Sequence, residues 1–453
     1  MLAAPRGKSG KTVLTLGLLR MWNAQGIAVK PFKKGPDFID PGWHGLAAGL
    51  PSRNLDGFFM TPSQQCDVVR QASAGCRLAV IEAAMGLYDG LDVEGSCSSA
   101  EVAKATSTPV VLVMDVTRTT RTAAALVMGL VHFDPDVAIK GVILNQVAGS
   151  RQERLVRSSI ESACNIPVLG ALPKDERMTI PDRHLGLISS TEAQGAQKTL
   201  DGIAALVASC VDHEAILAVA EGADPLPKSA PSLAAPAHKG ARPLIAVIRD
   251  DAFCFYYEEN FEALAQAGAR LVFVDSLRDA SLPPDVCALY IGGGFPETFA
   301  ARLEGNAGFR ASVRAHASAG MPVHAECGGL MYLARRLVVE DKSFEMAGVL
   351  AMDTQMRQHR LAHGYSVMRA TEAHPWIAAG TLLKGHEFHY SQVSNLDPRL
   401  RFVFESERGF GIDGVRDGIC QGNVVATYTH VNALASPAWA QSFVEQARRF
   451  QKR

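Results

Sequence analysis

The sequence predicts an α/β protein made of two doubly wound domains. Three observations carry that expectation. Before residue 222, short apolar runs alternate with amphipathic stretches, the pattern of strands feeding helices in a parallel sheet. After residue 243 the same alternation starts afresh. Between them, GADPLPKSAPSLAAPAHKGARP (222–243) carries five prolines, which exclude a regular helix or a central strand. The expected division is a first domain over 1–221, a linker over 222–243 and a second domain over 244–453.

The 453 residues leave room for more than one core, and 47% hydrophobic with 20% charged residues is an ordinary globular mixture. Lysine and arginine (45) balance aspartate and glutamate (46), so no basic surplus points to nucleic acid. No run of ~18 apolar residues predicts a membrane span. The start, MLAAPRGKSGKT, reaches Lys8 and Lys11 too soon for a signal-peptide core. A soluble, cytoplasmic protein is expected. The nine cysteines form no C-x-x-C pair, so neither a disulfide framework nor a zinc ribbon is indicated. Most are expected as small buried hydrophobes.

In chain order, Arg77–Glu82, Pro109–Asp115, Lys140–Asn145 and Ile166–Ala171 read as buried strands, and Thr12–Gln25, Arg121–Val131 and Gln152–Cys164 as helices. Past the linker, Leu244–Arg249, Arg270–Asp275, Cys287–Ile291 and Pro322–Ala325 read as strands, separated by helices over Glu258–Ala267 and 308–319. Only Met1–Ala4 precede the first loop, brief for a strand, and the natural chain is open to starting further upstream.

That first loop, Pro5-Arg6-Gly7-Lys8-Ser9-Gly10-Lys11-Thr12, lies between a strand and a helix. It fits the phosphate-loop pattern at Gly10, Lys11 and Thr12, with Pro5 where the first glycine stands. Gly7, Ser9 and Gly10 allow the backbone to wrap a phosphate at a helix N-terminus. Lys11 would reach the β/γ-phosphates of ATP and Thr12 would hold Mg²⁺. Carboxylates that complete such a site follow. Asp37 and Asp40 lie three apart between prolines, where they equally suit helix capping or a turn. Glu82 ends a strand and Asp89 follows in a Gly-bounded loop, where ligands of open α/β sheets gather.

In the second domain, Pro322–Met331 reads as strand, sharp turn and helix, with Cys327 at the turn. A nucleophile on such an elbow is held exposed, and the helix start favours a thiolate. Gly293 and Gly294, in the run that closes an earlier strand, would supply oxyanion-hole amides. His430 follows the strand Val424–Tyr428 and would be the base. His386-Glu387-Phe388-His389 is one residue short of a zinc-binding H-E-x-x-H pattern. It reads instead as a strand with His386 and Phe388 on one face, Glu387 and His389 on the other.

Taken in order, PRGKSGKT, KPFKKGPDFIDPGWH, PSRNLD, IEAAMGLYDG, GVILNQV, PVLGALPKDER, IPDRHLGL, YIGGGFPE, ECGGLMYL, GHEFHYS and the late His430 resemble the cobyrinate a,c-diamide synthase family over nearly the whole chain. The resemblance implies an N-terminal amidoligase of the dethiobiotin-synthetase-like fold and a C-terminal class I glutamine amidotransferase. It implies ATP and Mg²⁺, with glutamine and a tetrapyrrole as small-molecule partners. ATP would activate a tetrapyrrole carboxylate as an acyl phosphate. Ammonia freed from glutamine at a Cys327 thioester would displace the phosphate. Asp37, Asp40, Glu82 and Asp89 match positions that handle Mg²⁺, substrate and intermediate, with Thr12, Asp37 and Glu82 as metal ligands. Lys33, Lys34, Arg118 and Arg121 are weaker candidates for clamping anions, since each equally suits a solvated charge.

Four departures stand out. Many class I amidotransferases carry a glutamate two residues after the histidine, where this chain has Asn432, which is able to orient His430 without a charge. Lys8 replaces a small residue in the loop. DVTRTTRT (115–122) and His363-Gly364-Tyr365 differ from the commonest corrin-specific form. Relatives that amidate sirohaem or nickel-sirohydrochlorin share the motifs, so the motifs leave the macrocycle open. Oligomeric state stays open too, a homodimer included. A P-loop ATPase switch with an inactive glutaminase half is the alternative of a different class.

Overall fold

In the computed structural model, residues 1–178, 180, 182–183, 186–187, 195–227 and 242–452 are described. The chain divides into two compact units, Met1–Ser232 and Leu233–Arg453. Most of the predicted linker, and parts of IPDRHLGL, lie outside the described residues.

The first unit carries strands β1 (Leu2–Ala3), β2 (Val29–Lys34), β3 (Arg53–Leu55), β4 (Leu78–Glu82), β5 (Val110–Asp115), β6 (Ile139–Val147) and β7 (Val168–Pro173). Their order is β3-β2-β4-β1-β5-β6-β7, and the pairings are parallel. β1 is as brief as the sequence indicates. It is nevertheless central, pairing with both β4 and β5, because Leu2, Ala3 and Ala4 are all buried. Helix α1 (Lys11–Ala24) covers one face. Its Leu14, Leu18 and Trp22 are buried, and it packs against the helix Ala196–Cys210, whose Ile203 and Val207 are also buried. β2, β4 and β1 are neighbours in this order, so the loops that follow them leave the same end of the sheet side by side.

The second unit begins with β8 (Leu244–Ile248), β9 (Arg270–Val274), β10 (Ala288–Ile291) and β11 (Val323–Glu326). With a strand over Val424–Thr427 they form the parallel part of a ten-stranded sheet. The remaining strands, among them Ala362–Ala370, Leu382–His389 and Arg401–Arg408, run antiparallel. This extension was not legible beyond HEFHY. Its residues alternate buried with exposed, as in Ala362–Ala370, so they lack the continuous apolar runs that mark a two-sided parallel sheet.

Secondary-structure bounds fall within about two residues of the sequence expectation for the elements named. One expectation fails. Of the nine free cysteines, only Cys66, Cys287, Cys327 and Cys420 are buried. The other five lie on partly exposed helix ends and loops, where composition gives no guide. Among the described residues, no helix is long and apolar enough to cross a membrane.

Candidate active site

The phosphate loop turns at Gly10, whose φ of 89° is left-handed and costs glycine little. A side chain there would also collide with Asn145, since a Cβ would lie 2.1 Å from its Nδ2. Asn145 donates to the Ser9 carbonyl (3.0 Å), which ties β6 to the loop. Ser9 donates from its hydroxyl to the Arg6 carbonyl (3.0 Å). Gly7 faces the side chain of Met85. Lys8 takes φ 59°, unfavourable for a side-chain-bearing residue, and stays exposed. Lys11 donates to the carbonyls of Met85 (2.7 Å) and Arg6 (3.2 Å). Burial, then the neighbouring Lys33, pull it down to about 8.

Glu82 is the centre of the cluster. It is fully buried at the end of β4. Thr12 donates to its Oε1 (2.6 Å), as does Lys33 Nζ (2.6 Å), and His44 Nε2 meets its Oε2 (2.6 Å). Lys33 also touches Asp40 (2.5 Å). Burial opposes charge on Glu82, but Lys33 and His44 outweigh it and hold the carboxyl well below the usual range. Lys33 is correspondingly held well above its ordinary value, because Asp40 and Glu82 overcome its burial. Asp37 takes the capping role that its type allows: its Oδ1 accepts from the amides of Ile39 (2.8 Å) and Asp40 (3.1 Å) at the start of helix α2 (Ile39–Ala48). Burial, then the like charge of Asp40, raise it to about 6. Asp89 is exposed and accepts from the Gly86 amide (2.7 Å).

Thus Thr12 meets Glu82 directly and Lys33 joins Glu82 to Asp40, with Asp37 in their electrostatic reach. Of the weaker cations, Lys33 alone enters these contacts; Arg118 and Arg121 are exposed. His44 is the residue that sequence reasoning missed. Its signal was spacing, since it follows Asp40 by four on α2 and so shares its face. For Mg²⁺, Thr12 and Glu82 are hard oxygen donors 2.6 Å apart beside the phosphate loop. Among the described residues no group of three His, Cys, Asp or Glu is arranged for a metal. The pair fits an ion that takes one or two protein ligands and rests otherwise on phosphate oxygens and water.

In the second unit Cys327 joins β11 to the helix Gly328–Leu333 with φ 48° and ψ −99°, the strained elbow expected. The residue is buried rather than exposed as the sequence reading had it, because the loop after β10 and the strand Leu382–His389 close over the turn. Its amide donates to the Thr427 carbonyl (2.7 Å), and its Sγ lies 3.9 Å from the Phe388 carbonyl oxygen. The expected low thiol pKa is not found. Burial, then the charge of Glu297, push the thiol well up, and a six-residue helix does not offset them.

The run after β10 reaches the same place. Gly292 donates to the Tyr256 hydroxyl (2.7 Å) and Phe295 to the Ala252 carbonyl (2.9 Å), so the amides of Gly293 and Gly294 lie between two fixed points. A Cβ on Gly293 would lie 2.3 Å from His430 Cε1, which places the loop directly against the histidine ring. The Gly294 amide nitrogen would lie 3.1 Å from a Cβ on Gly328, next to Cys327. Cys327, Gly293, Gly294 and His430 therefore share one sheet edge. His430 is buried, and that burial lowers it to about 4 while Glu326 pulls it up. Asp417 fixes the approach to His430 by accepting from the amides of Tyr428 and Thr429 (each 3.0 Å).

One expectation is corrected here, and one, the reading of HEFHY as a strand, is met. Asn432 spends its Oδ1 on the amides of Leu434 (3.1 Å) and Ala435 (3.3 Å), capping a turn. The group facing His430 Nδ1 is Glu326 (Oε2, 3.9 Å), one residue before Cys327, which sequence reasoning passed over as part of the elbow. HEFHY is the end of the strand Leu382–His389. Glu387 there accepts from the amides of Phe410 and Gly411, and His389 stacks on Tyr428 with ring centroids 3.7 Å apart.

Family models agree with this division. Residues 1–188 match the CobQ/CobB/MinD/ParA nucleotide binding domain, and residues 244–438 match the CobB/CobQ-like glutamine amidotransferase domain. The chain is 44% identical to the cobyrinate a,c-diamide synthase of Magnetococcus marinus, over 97% of this chain and 95% of that one. It is 45% identical to that of Archaeoglobus fulgidus, over 99% and 97%. It is 39% identical to the hydrogenobyrinate a,c-diamide synthase of Streptomyces coelicolor, over 99% and 97%. On that identity and coverage, the chain belongs to the cobyrinate a,c-diamide synthase family of glutamine-dependent amidoligases.

Proposed function

We propose that the chain amidates the a- and c-acetate carboxylates of cobyrinate to give cobyrinate a,c-diamide, using ATP and glutamine. One observation carries the reading: full-length relatives of that name align with a chain holding a phosphate loop on a buried carboxylate cluster and a cysteine on a strained elbow. The division of labour follows the sequence expectation, with the amidoligase over 1–221 and the glutaminase over 244–453.

In the amidoligase, Lys11 exchanges its carbonyl partners for the phosphates of ATP. Thr12 and Glu82, with Asp37 nearby, would hold Mg²⁺, which supplies charge neutralisation on the phosphates. A carboxylate oxygen of the tetrapyrrole attacks the γ-phosphorus and ADP leaves, giving an acyl phosphate. Lys33 stands where it offsets the negative charge gathered at Asp40 and Glu82. In the glutaminase, His430 takes the Cys327 proton, and Sγ attacks the glutamine amide carbon. The Gly293 and Gly294 amides stabilise the oxyanion. The amide nitrogen leaves as ammonia with the proton returned by His430, and water hydrolyses the thioester to glutamate. Ammonia then attacks the acyl phosphate carbon and phosphate leaves.

The test offers ATP, Mg²⁺, glutamine and either cobyrinate or sirohaem to the purified protein, with products read by mass spectrometry. Two amidations of cobyrinate, lost in Cys327→Ala and restored by ammonium salts, are expected. Absence of amidation even with ammonia would refute the assignment, and amidation of sirohaem alone would move it to another macrocycle.

A further inference from the structure

We propose that Glu326, the residue immediately before Cys327, is the carboxylate that positions and electrostatically supports His430, in the role for which this chain has no acidic residue after the histidine. The inference rests on the reading of Cys327 and His430 as the glutaminase pair.

Four observations converge. First, Glu326 is 1% exposed, and a carboxylate is buried so completely only when it is held by partners. Two of its contacts, to Val431 and to His430 itself, lie on the segment that carries the histidine. Oε1 accepts from the Val431 amide (3.0 Å), the residue next to His430, and meets His324 Nε2 (3.1 Å). Oε2 accepts from the Tyr290 hydroxyl (3.0 Å) and faces His430 Nδ1 at 3.9 Å.

Second, this frame is itself braced. Asn260 donates to the Tyr290 hydroxyl (3.2 Å) and to the Val431 carbonyl (2.8 Å), and accepts from the Ala433 amide (2.8 Å). The segment 431–433 is thus fixed on the same buried side chains as Glu326.

Third, strand alternation explains the placement. His324 and Glu326 are two apart on β11 and share a face. The turn at Cys327 then carries the sulfur on toward Phe388. One strand therefore supplies the thiol at its end and the carboxylate one residue earlier.

Fourth, Asn432 is committed elsewhere, to the turn at Leu434 and Ala435. At 3.9 Å the Glu326–His430 contact is too long for a hydrogen bond to the neutral ring. It becomes a charge interaction when His430 takes the Cys327 proton, and a low-dielectric site enlarges it. The titratable groups that bear on His430 include Glu326 from β11 and, from the facing strand, His386, whose ring centroid is 5.7 Å from that of His430, and His389. Those that bear on Cys327 include Glu297, Glu326, Asp417 and Tyr428.

The neighbourhood gives the test a sign. As a like charge beside the sulfur, Glu326 disfavours the thiolate, so Glu326→Gln would shift thiolate formation to lower pH. As the support for protonated His430, it favours the thiolate–imidazolium pair, so Glu326→Gln would shift it to higher pH. The experiment measures iodoacetamide alkylation of Cys327 against pH by peptide mass spectrometry, with glutamine hydrolysis measured alongside. We expect Glu326→Gln to move the profile to higher pH and to lower glutamine-dependent kcat/KM by about tenfold or more. Glu326→Asp should restore most of the charge effect, and Asn432→Ala should leave the profile in place. A profile that stays or moves to lower pH in Glu326→Gln overturns the proposal. So does a shift to higher pH in Asn432→Ala, which keeps the test decisive if Glu326→Gln does not fold. Failure of the wild-type chain to hydrolyse glutamine at all would instead refute the underlying assignment of Cys327 and His430.

Discussion

Glu82 shows what a single buried carboxylate asks of its surroundings. Thr12, Lys33 and His44 all converge on its two oxygens. Removing one charge partner strands the other in a dry site, a change that typically costs about 3–5 kcal/mol. Lys33→Met is therefore expected to destabilise the first unit by roughly that amount and to abolish ammonia-dependent amidation, as checked by urea unfolding and product assay. Lys11 gives a pH prediction. It falls to about 8, so its positive charge is lost as pH rises through that value. Nucleotide affinity should weaken from pH 7 to 9.5, measured by titration calorimetry, and more steeply than in Lys11→Arg, whose guanidinium stays charged. Legibility at this scale was uneven. Asp37, Glu82 and Cys327 stood out because their types and spacing carry chemistry. Asp37 proved to cap a helix as well. Glu326 was missed because its significance lies in contacts across strands, which linear spacing does not encode, whereas His44 carried a spacing signal, four residues after Asp40, that went unread.

At the scale of elements, the glycine run after β10 is the tightest constraint. A Cβ on Gly293 meets the His430 ring at 2.3 Å, a separation that forces the ring or the loop to move. Gly293→Ala is expected to lower glutamine-dependent turnover by about 100-fold or more while leaving ammonia-dependent amidation intact. A steady-state comparison of the two nitrogen donors checks it. Most parallel strands were legible because they are short apolar runs bounded by turn residues, whereas β2 (VKPFKK) is lysine-rich and β3 (RNL) is too short to show a pattern, and neither was read. The antiparallel extension of the second sheet was hidden: its strands are half polar, and their pairing, as between Ala362–Ala370 and Leu382–His389, joins residues about twenty apart. The helix Pro62–Ala72 was not read from the sequence, although Thr61 caps it through a reciprocal pair with Gln64.

For the whole molecule, the two candidate sites lie in separate compact units, and their losses should separate accordingly. Lys11→Ala is expected to abolish amidation with either nitrogen donor, whereas Cys327→Ala should spare the ammonia-dependent reaction. Equal loss in both variants would contradict the division. The order of the motifs along the chain made the two-unit plan readable, since a phosphate loop near residue 10 and an elbow near residue 327 do not belong to one sheet. The elbow carries a further consequence. Cys327 holds a backbone conformation that a side-chain-bearing residue adopts only under strain, typically at about 1–3 kcal/mol. Glycine would occupy that turn without the penalty. Cys327→Gly is thus expected to melt at a higher temperature than the native chain while being unable to use glutamine, a trade of endurance for chemistry that scanning calorimetry would expose at one position.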